Sequence, residues 1–392
     1  MTFDPASIKG TWSYPTQILF GPGRIAKLAD ACKGLGMTRP MLITDPGLAA
    51  FPMVKDAIAA NEAAGLPTGL FSDIKPNPIG QNVIDGVAAY RAGGHDGVIA
   101  FGGGSALDAG KAIAFMSGQS RPIWDFEDVG DNWKAADPAG IAPIVAVPTT
   151  AGTGSEVGRA SVIVQEESET KKIIFHPMML PGVVISDPEL TLGLPAHITA
   201  ATGMDALAHN LEAYCAPGYH PMADGIAVEG MRLVKEWLPL AVADGSNLEA
   251  RANMLATASM GATAFQKGLG AIHSLSHPIG AIYDTHHGLT NAVMMPYVLA
   301  FNRPAIEDKM PRLAAWLGLS NHSYSGILDW VLGLRETLKI PHGLDGLGVD
   351  DARAEEICQM AADDPTAPTN PIPLDPDNLR QIFDAALSGR VG

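Results

Sequence analysis

The chain has 392 residues, 47% of them hydrophobic and 17% charged, and its formal charge is 26 − 42 = −16. Such acidity argues against nucleic acid and anionic membrane surfaces, both of which call for a basic face. The three cysteines, Cys32, Cys215 and Cys358, lie far apart in no CxxC pattern. They exclude a disulfide framework or a cysteine-built zinc site and suit a reducing compartment. The opening MTFDPASIKG has no basic-then-apolar signal, and no apolar run reaches ~18 residues. The expectation is a soluble, cytoplasmic, globular protein of roughly two or three domains.

In chain order, the first clear apolar run is Pro40–Asp45, a short strand ending in an acid. A helical stretch follows at Asn82–Ala92, then the buried-strand run Gly97–Gly102 and a helix at Ser105–Met116. Two more apolar runs are Ile141–Pro148 and Val183–Asp187. Strand, turn and helix at this spacing predict a parallel sheet with helices on its faces. After Asp187 no convincing β-run appears. The segments Ile198–Ala216, Ala223–Ala241, Leu248–Lys267 and Pro304–Trp316 are rich in Ala, Leu and Met with helical periodicity. The Pro-rich stretch Asp363–Asp377 reads as a loop before a last helix, Asn378–Leu387. The fold class is therefore α/β plus all-α, with an α/β domain over 1–187 and a helical domain over 188–392.

The run VIAFGGGSALDAGKAIA (Val98–Ala114) joins a strand to a helix through Gly102, Gly103 and Gly104. Glycines let a backbone approach a ligand closely, Ser105 reads as an N-cap, and free N–H groups of a first helical turn favour a phosphate. Neither a Walker A loop nor GxGxxG fits: Ala112 stands where Ser or Thr should be, and Leu107 where the third Gly should be. A tight turn without a ligand also fits this segment alone. A second polar loop, Thr149–Val157, follows another strand and offers Thr149, Thr150, Thr153 and Ser155. Two such loops at strand ends favour a dinucleotide site. Asp45 suits ribose hydroxyls, and equally a turn before Pro46.

The helical half carries a histidine cluster. His273, His277, His286 and His287 fall within fifteen residues, and upstream Asp205 and His209 stand at i and i+4. That spacing puts both side chains on one helix face, where polar groups among apolar neighbours are costly unless paired or ligating. A simple helix pair explains Asp205 and His209 alone; the downstream histidines and the His287-Gly288 turn favour a metal. Carboxylate and imidazole without thiolate suit Fe(II) or Zn(II) rather than Mg(II) or Ca(II). His95, His176, His197, His220, His322 and His342 are scattered and read as ordinary residues.

Together these segments resemble the iron-containing, or group III, NAD(P)-dependent alcohol dehydrogenases along nearly the whole chain. The resemblance runs from PTQILFGPG (Pro15–Gly23) through TDPG, NPIGQNVIDG, GGGSALDAGKAIA, PTTAGTGSEV and SDPEL. It continues through TGMDALAHNLEAY and IHSLSHPIGAIYDTHHG to TNP (Thr369–Pro371). It implies a Rossmann-like N-terminal domain, a helical C-terminal domain and an active site in the cleft between them. The implied metal ligands are Asp205, His209, His273 and His287, with His277 beside the metal as a catalytic residue. The implied cofactor contacts are Asp45, Gly103, Gly104, Ser105, Asp108, Thr149, Thr150, Thr153 and Lys171.

The activity implied is hydride transfer between a primary alcohol or aldehyde and NAD(H), with NADP(H) disfavoured because Asp45 would repel a 2′-phosphate. The metal, Fe(II) or else Zn(II), acts as a Lewis acid. Hydroxyacid–oxoacid transhydrogenases, maleylacetate reductases and dehydroquinate synthases are the fold relatives that stand as alternatives. A binding module without catalysis is the alternative from another class, and it has no need of so many ligands. The expected partners are a small-molecule substrate and further copies of the chain, as a homodimer or higher homo-oligomer.

Overall fold

The computed structural model describes Tyr14 and residues 16–391; the opening MTFDPASIKG and Pro15 lie outside the described residues. The chain divides into two units, Pro15–Gly193 and Leu194–Gly392, with Tyr14 grouped in the second.

In Pro15–Gly193 the apolar runs become strands. These are β1 (Gln17–Phe20), β2 (Pro40–Ile43), β3 (Gly69–Phe71), β4 (Gly97–Gly102), β5 (Ile144–Pro148), β6 (Ala160–Gln165), β7 (Thr170–Phe175) and β8 (Val183–Ser186). Between them lie α1 (Leu28–Gly34), α2 (Pro46–Ala49), α3 (Pro52–Ala63), α4 (Gly80–Ala92) and α5 (Gly104–Met116). Six strands form one sheet in the order β1-β8-β5-β4-β2-β3, with every pairing parallel. The strands β2, β4, β5 and β8 are buried along their whole length, as continuous apolar runs covered on both faces must be. Leu42, Ile99 and Val145 are fully buried in the core, each worth about 1.5–3 kcal/mol of apolar transfer. The sheet is the expected one. The strands β6 and β7 form a separate antiparallel hairpin, which the sequence reading did not anticipate.

The strand order positions ligands. From β2 the chain steps outward to β3, then crosses back to β4 on the other side of β2. The carboxyl ends of β2 and β4 therefore flank a topological switch point, where open α/β sheets bind ligands. Gly102 at the end of β4 pairs with Pro148 at the end of β5. The loops that follow, at 103–105 and 149–153, consequently leave the same edge of the sheet side by side.

In Leu194–Gly392 the elements are α6 (Ala196–Cys215), α7 (Pro221–Ala243), α8 (Leu248–Ala264), α9 (Ala271–Tyr283) and α10 (His287–Ile306). They are followed by α11 (Met310–Trp316), α12 (Tyr324–Thr337), α13 (Ala354–Ala362) and α14 (Pro376–Ser388). No strand occurs here among the described residues. The helix expected at Pro304–Trp316 is instead the end of α10, a 3₁₀ turn at Glu307–Lys309 and α11. Pro304 is tolerated inside α10, and Pro311, second in α11, suits a helix start. Small residues allow the helices around α6 to approach. A Cβ at Gly203 would overlap Leu238 of α7, and one at Gly261 of α8 would lie 2.9 Å from His209 Cβ.

Candidate active site

Helix α6 is buried almost all round from Thr199 to Cys215. Asp205, His209 and Glu212 follow one another at i, i+4 and i+7 and share a face. Helix α9 supplies His273 and His277, one turn apart, and α10 opens with His287. A Cβ at Gly288 would lie 2.9 Å from Asp205 Cβ and would overlap the Ala201 carbonyl. Glycine there lets the start of α10 close onto α6 and brings His287 to Asp205.

Asp205, His273 and His287 each offer a ligand atom within 4.8 Å of the others. Asp205 Oδ1 is 3.6 Å from His287 Nε2 and 3.9 Å from both His209 Nε2 and His273 Nε2. The His209 ring stacks on His273 with centroids 4.7 Å apart. Asp205, His273 and His287 therefore converge on one point, with His209 beside them against Asp205 and the His273 ring; carboxylate and imidazole donors of this kind fit a borderline divalent ion. The neighbouring His286 caps a helix, its Nδ1 accepting the Leu289 N–H at the start of α10. His176 and His220 cap helices in the same way.

Three residues that the sequence reading did not single out complete this region. Glu212 Oε2 lies 2.5 Å from His273 Nδ1, and Asp364 Oδ2 lies 2.8 Å from His277 Nδ1. A neutral ring that donates its Nδ1–H to such a carboxylate keeps its lone pair on Nε2. Asn291, one turn after His287, places Nδ2 2.7 Å from Asp205 Oδ1. Burial pulls the pKa of His273 down, but the charge and hydrogen bond of Glu212, helped by Asp205 and Asp364, set it above the ordinary histidine value. For Asp364, burial pushes upward while His277 and the Thr366 donors pull harder, so its pKa lies below the usual carboxylate value.

The Pro-rich stretch expected to be only a loop anchors α9. Asn370 Oδ1 accepts the Ala271 N–H at 3.1 Å, and Thr369 Oγ1 accepts that of Leu269 at 3.1 Å. Asn370 is itself held by a reciprocal pair of side-chain amide hydrogen bonds with Asn302 of α10. The helix carrying His273 and His277 is thus capped by residues almost a hundred positions away, which no local pattern reveals.

On the sheet unit, α5 begins at Gly104 with Gly103 as N-cap, and no side chain caps it. Ser105 is the second helical residue and not the N-cap the sequence suggested, because Gly103 already adopts the extended backbone of that position. An uncapped helix start with glycine around it fits a phosphate. Glycine also serves the packing of the two loops. A Cβ at Gly103 would lie 3.3 Å from Thr150 Cγ2, and one at Gly104 only 2.5 Å from Thr153 Cγ2. Thr149 donates its N–H to the Gly102 carbonyl at 2.9 Å.

Asp108 is engaged by protein at both oxygens. Oδ1 accepts from Ser155 Oγ at 2.5 Å and lies 3.2 Å from the buried Lys111 Nζ, while Oδ2 accepts the Val162 N–H. Burial lowers the pKa of Lys111, with Asp108 and Glu156 opposing. Asp45 caps α2, its Oδ1 accepting the Leu48 N–H at 2.9 Å, so the turn reading is realised in the fold. Lys171 and Lys172 are adjacent on β7, and Lys172 is paired with Glu127 at 2.9 Å.

Residues 15–188 match the family model for iron-containing alcohol dehydrogenase, and 199–387 match the C-terminal model of the Fe-containing alcohol dehydrogenase family. The chain belongs to the iron-containing alcohol dehydrogenase family. It is similar to a 4-hydroxybutyrate dehydrogenase of Cupriavidus necator, with 38% identity over 95% of this chain and 99% of that one. A crystal structure of 1,3-propanediol oxidoreductase superposes with a TM-score of 0.91 at 34% identity, covering 96% of this chain and all of the other. A sulfoacetaldehyde reductase from Bifidobacterium kashiwanohense, solved with NAD⁺, superposes with a TM-score of 0.86 at 29% identity over 97% and 100% of the two chains.

As an iron-containing alcohol dehydrogenase, the protein is an oxidoreductase acting on alcohols. The comparisons do not favour the transhydrogenase, maleylacetate reductase or dehydroquinate synthase alternatives. Among the described residues, no helix is long and apolar enough to cross a membrane.

Proposed function

We propose that this alcohol dehydrogenase transfers a hydride between a short primary alcohol and NAD(H), yielding the aldehyde, with Fe(II) held by Asp205, His209, His273 and His287. The observation that carries the reading is the convergence of Asp205, His273 and His287 on one point. When bound, the ion supplies Lewis acidity at the substrate oxygen and the nicotinamide accepts the hydride. Glu212 holds His273 with its Nε2 lone pair inward. Asp364 does the same for His277, whose Nε2 is then placed to take and return the hydroxyl proton. The uncapped start of α5, with Gly103, Gly104 and Ser105, receives the pyrophosphate. Thr149, Thr150 and Thr153 border it, Asp108 braces α5, Lys171 contacts the cofactor, and Asp45 faces the adenosine ribose. In this reading residues 1–187 serve the cofactor and 188–392 the metal.

The similarity to proteins named for 4-hydroxybutyrate and 1,3-propanediol supports a short primary alcohol with a second polar group at its far end. A screen of such alcohols and their aldehydes tests this, using NAD(H) and NADP(H) on protein loaded separately with Fe(II) and Zn(II). Turnover equal in metal-free and loaded protein would refute the metal assignment.

A further inference from the structure

Asn291 is fully buried on α10, one turn beyond His287. Its Nδ2 lies 2.7 Å from Asp205 Oδ1, 3.2 Å from His273 Nε2 and 3.1 Å from His287 Nε2. The amide faces the carboxylate with its NH₂ group because the opposite orientation would set two acceptor oxygens against each other. Of its two hydrogens, one can serve Asp205 and the other one of the two imidazole nitrogens. Since His273 Nδ1 is bonded to Glu212, a neutral His273 presents Nε2 as an acceptor. The amide oxygen Oδ1 is buried without a hydrogen-bond partner. This amide is therefore placed for its donor alone, where three acceptors meet.

We propose that Asn291 is a placeholder for the metal: in the metal-free chain its NH₂ group holds the ligand atoms together, and the ion must displace that hydrogen bonding to bind. The inference rests on Asp205, His273 and His287 being ligands. An N–H donor carries the same sign of charge as a cation, so it relieves the mutual repulsion of three buried lone pairs. It also competes with the ion. Asn291 thereby sets the affinity of the site without itself being a ligand.

The test is Co(II) affinity of the metal-stripped, full-length protein, followed by visible absorption against a competing chelator. Asn291→Leu removes the donor at similar volume, and Asn291→Asp replaces donor by acceptor. The placeholder role requires both variants to melt at lower temperature without metal and to bind Co(II) more tightly. For Asn291→Leu the gain should be about tenfold, the equivalent of one hydrogen bond to a charged group. Unchanged affinity in Asn291→Leu would show a packing role and overturn the inference. Weaker affinity would show that Asn291 supports the loaded site, and would overturn it too. If Asn291→Leu does not fold, Asn291→Ala decides by the same two readings, since Asn291→Asp also adds an anionic ligand that tightens Co(II) binding by itself. Failure of the ligand reading is separate: the unmodified chain and an Asp205→Ala variant would then bind Co(II) equally.

Discussion

Glu212 grips His273 from outside the proposed ligand set, with Oε2 2.5 Å from Nδ1 and Oε1 accepting the Ile272 N–H at 2.8 Å. One carboxylate on α6 thus fixes both the His273 ring and the backbone of α9 beside it. Such a partner sets the tautomer and raises the basicity of the imidazole.

Replacing Glu212 by Gln keeps the volume and one acceptor but removes the charge. Metal affinity should fall about 10–100-fold, with little change in fold. Ion content after dialysis against a graded chelator series measures this. Equal retention in the two proteins would count against Glu212 as the orienting group.

The histidines should separate by role. His273→Ala and His287→Ala should lose metal, since each removes one imidazole from a small donor set. His277→Ala should keep the ion and lose turnover by about 10²–10⁴-fold, the usual worth of positioned acid–base assistance. Metal analysis beside kinetics on the three variants decides. Metal lost from His277→Ala and kept in His273→Ala would exchange the two assignments.

Asp45 caps α2 and is proposed to face the ribose, and one substitution can separate the two. Its Oδ1 caps α2, a contact Asn preserves, whereas the charge that would repel a 2′-phosphate is lost. Asp45→Asn should therefore leave thermal stability within about 1 kcal/mol while narrowing the preference for NAD(H) over NADP(H). The ratio of kcat/KM for the two cofactors reports it. An unmodified enzyme that already prefers NADP(H) would place Asp45 away from the ribose.

Much of this arrangement is legible in the sequence because its physics is local. Parallel core strands such as Gly97–Gly102 are buried on both faces and therefore read as unbroken apolar runs. Asp205 and His209 are legible because a helix spaces them, and Gly102–Gly104 because glycine clusters mark turns. The strand β1 escapes notice because it has only four residues and is partly exposed. The hairpin β6–β7 escapes because charged Lys171 and Lys172 interrupt its apolar pattern. At the site, Glu212 lies one turn past His209 yet looks like any helix acid. Asp364 and Asn370 are set against α9 by the tertiary fold, 87 and 99 positions from their partners His277 and Ala271, and spacing carries no trace of that.

Asp364 offers a test in which protonation and geometry can be told apart. Its Oδ2 accepts a hydrogen bond from His277 Nδ1–H, while Oδ1 accepts from Thr366 N at 2.8 Å and Thr366 Oγ1 at 2.6 Å. Burial works against the charge, but His277 and Thr366 outweigh it, and the folded pKa lies below the ordinary 3.8. A carboxylate whose pKa is depressed on folding stabilises the fold above its unfolded pKa, and that stability is lost as pH falls through the folded value. Asp364 is therefore fully ionised throughout the neutral range and does not itself shape a pH–rate profile there. In Asp364→Asn, Oδ1 can still accept from Thr366, but the amide then turns its NH₂ group to His277 Nδ1. The ring must now put its proton on Nε2, the wrong tautomer for accepting a proton from substrate. Turnover should drop by about 10²–10⁴-fold at every pH from 6 to 9, with metal content unchanged. The melting temperatures of the two proteins should differ at neutral pH, draw together as pH falls below the ordinary carboxylate pKa, and converge only below the lower folded value. Full turnover in Asp364→Asn would show that His277 works without this carboxylate, and a gap in stability that persists at low pH would trace the contact to packing instead of charge.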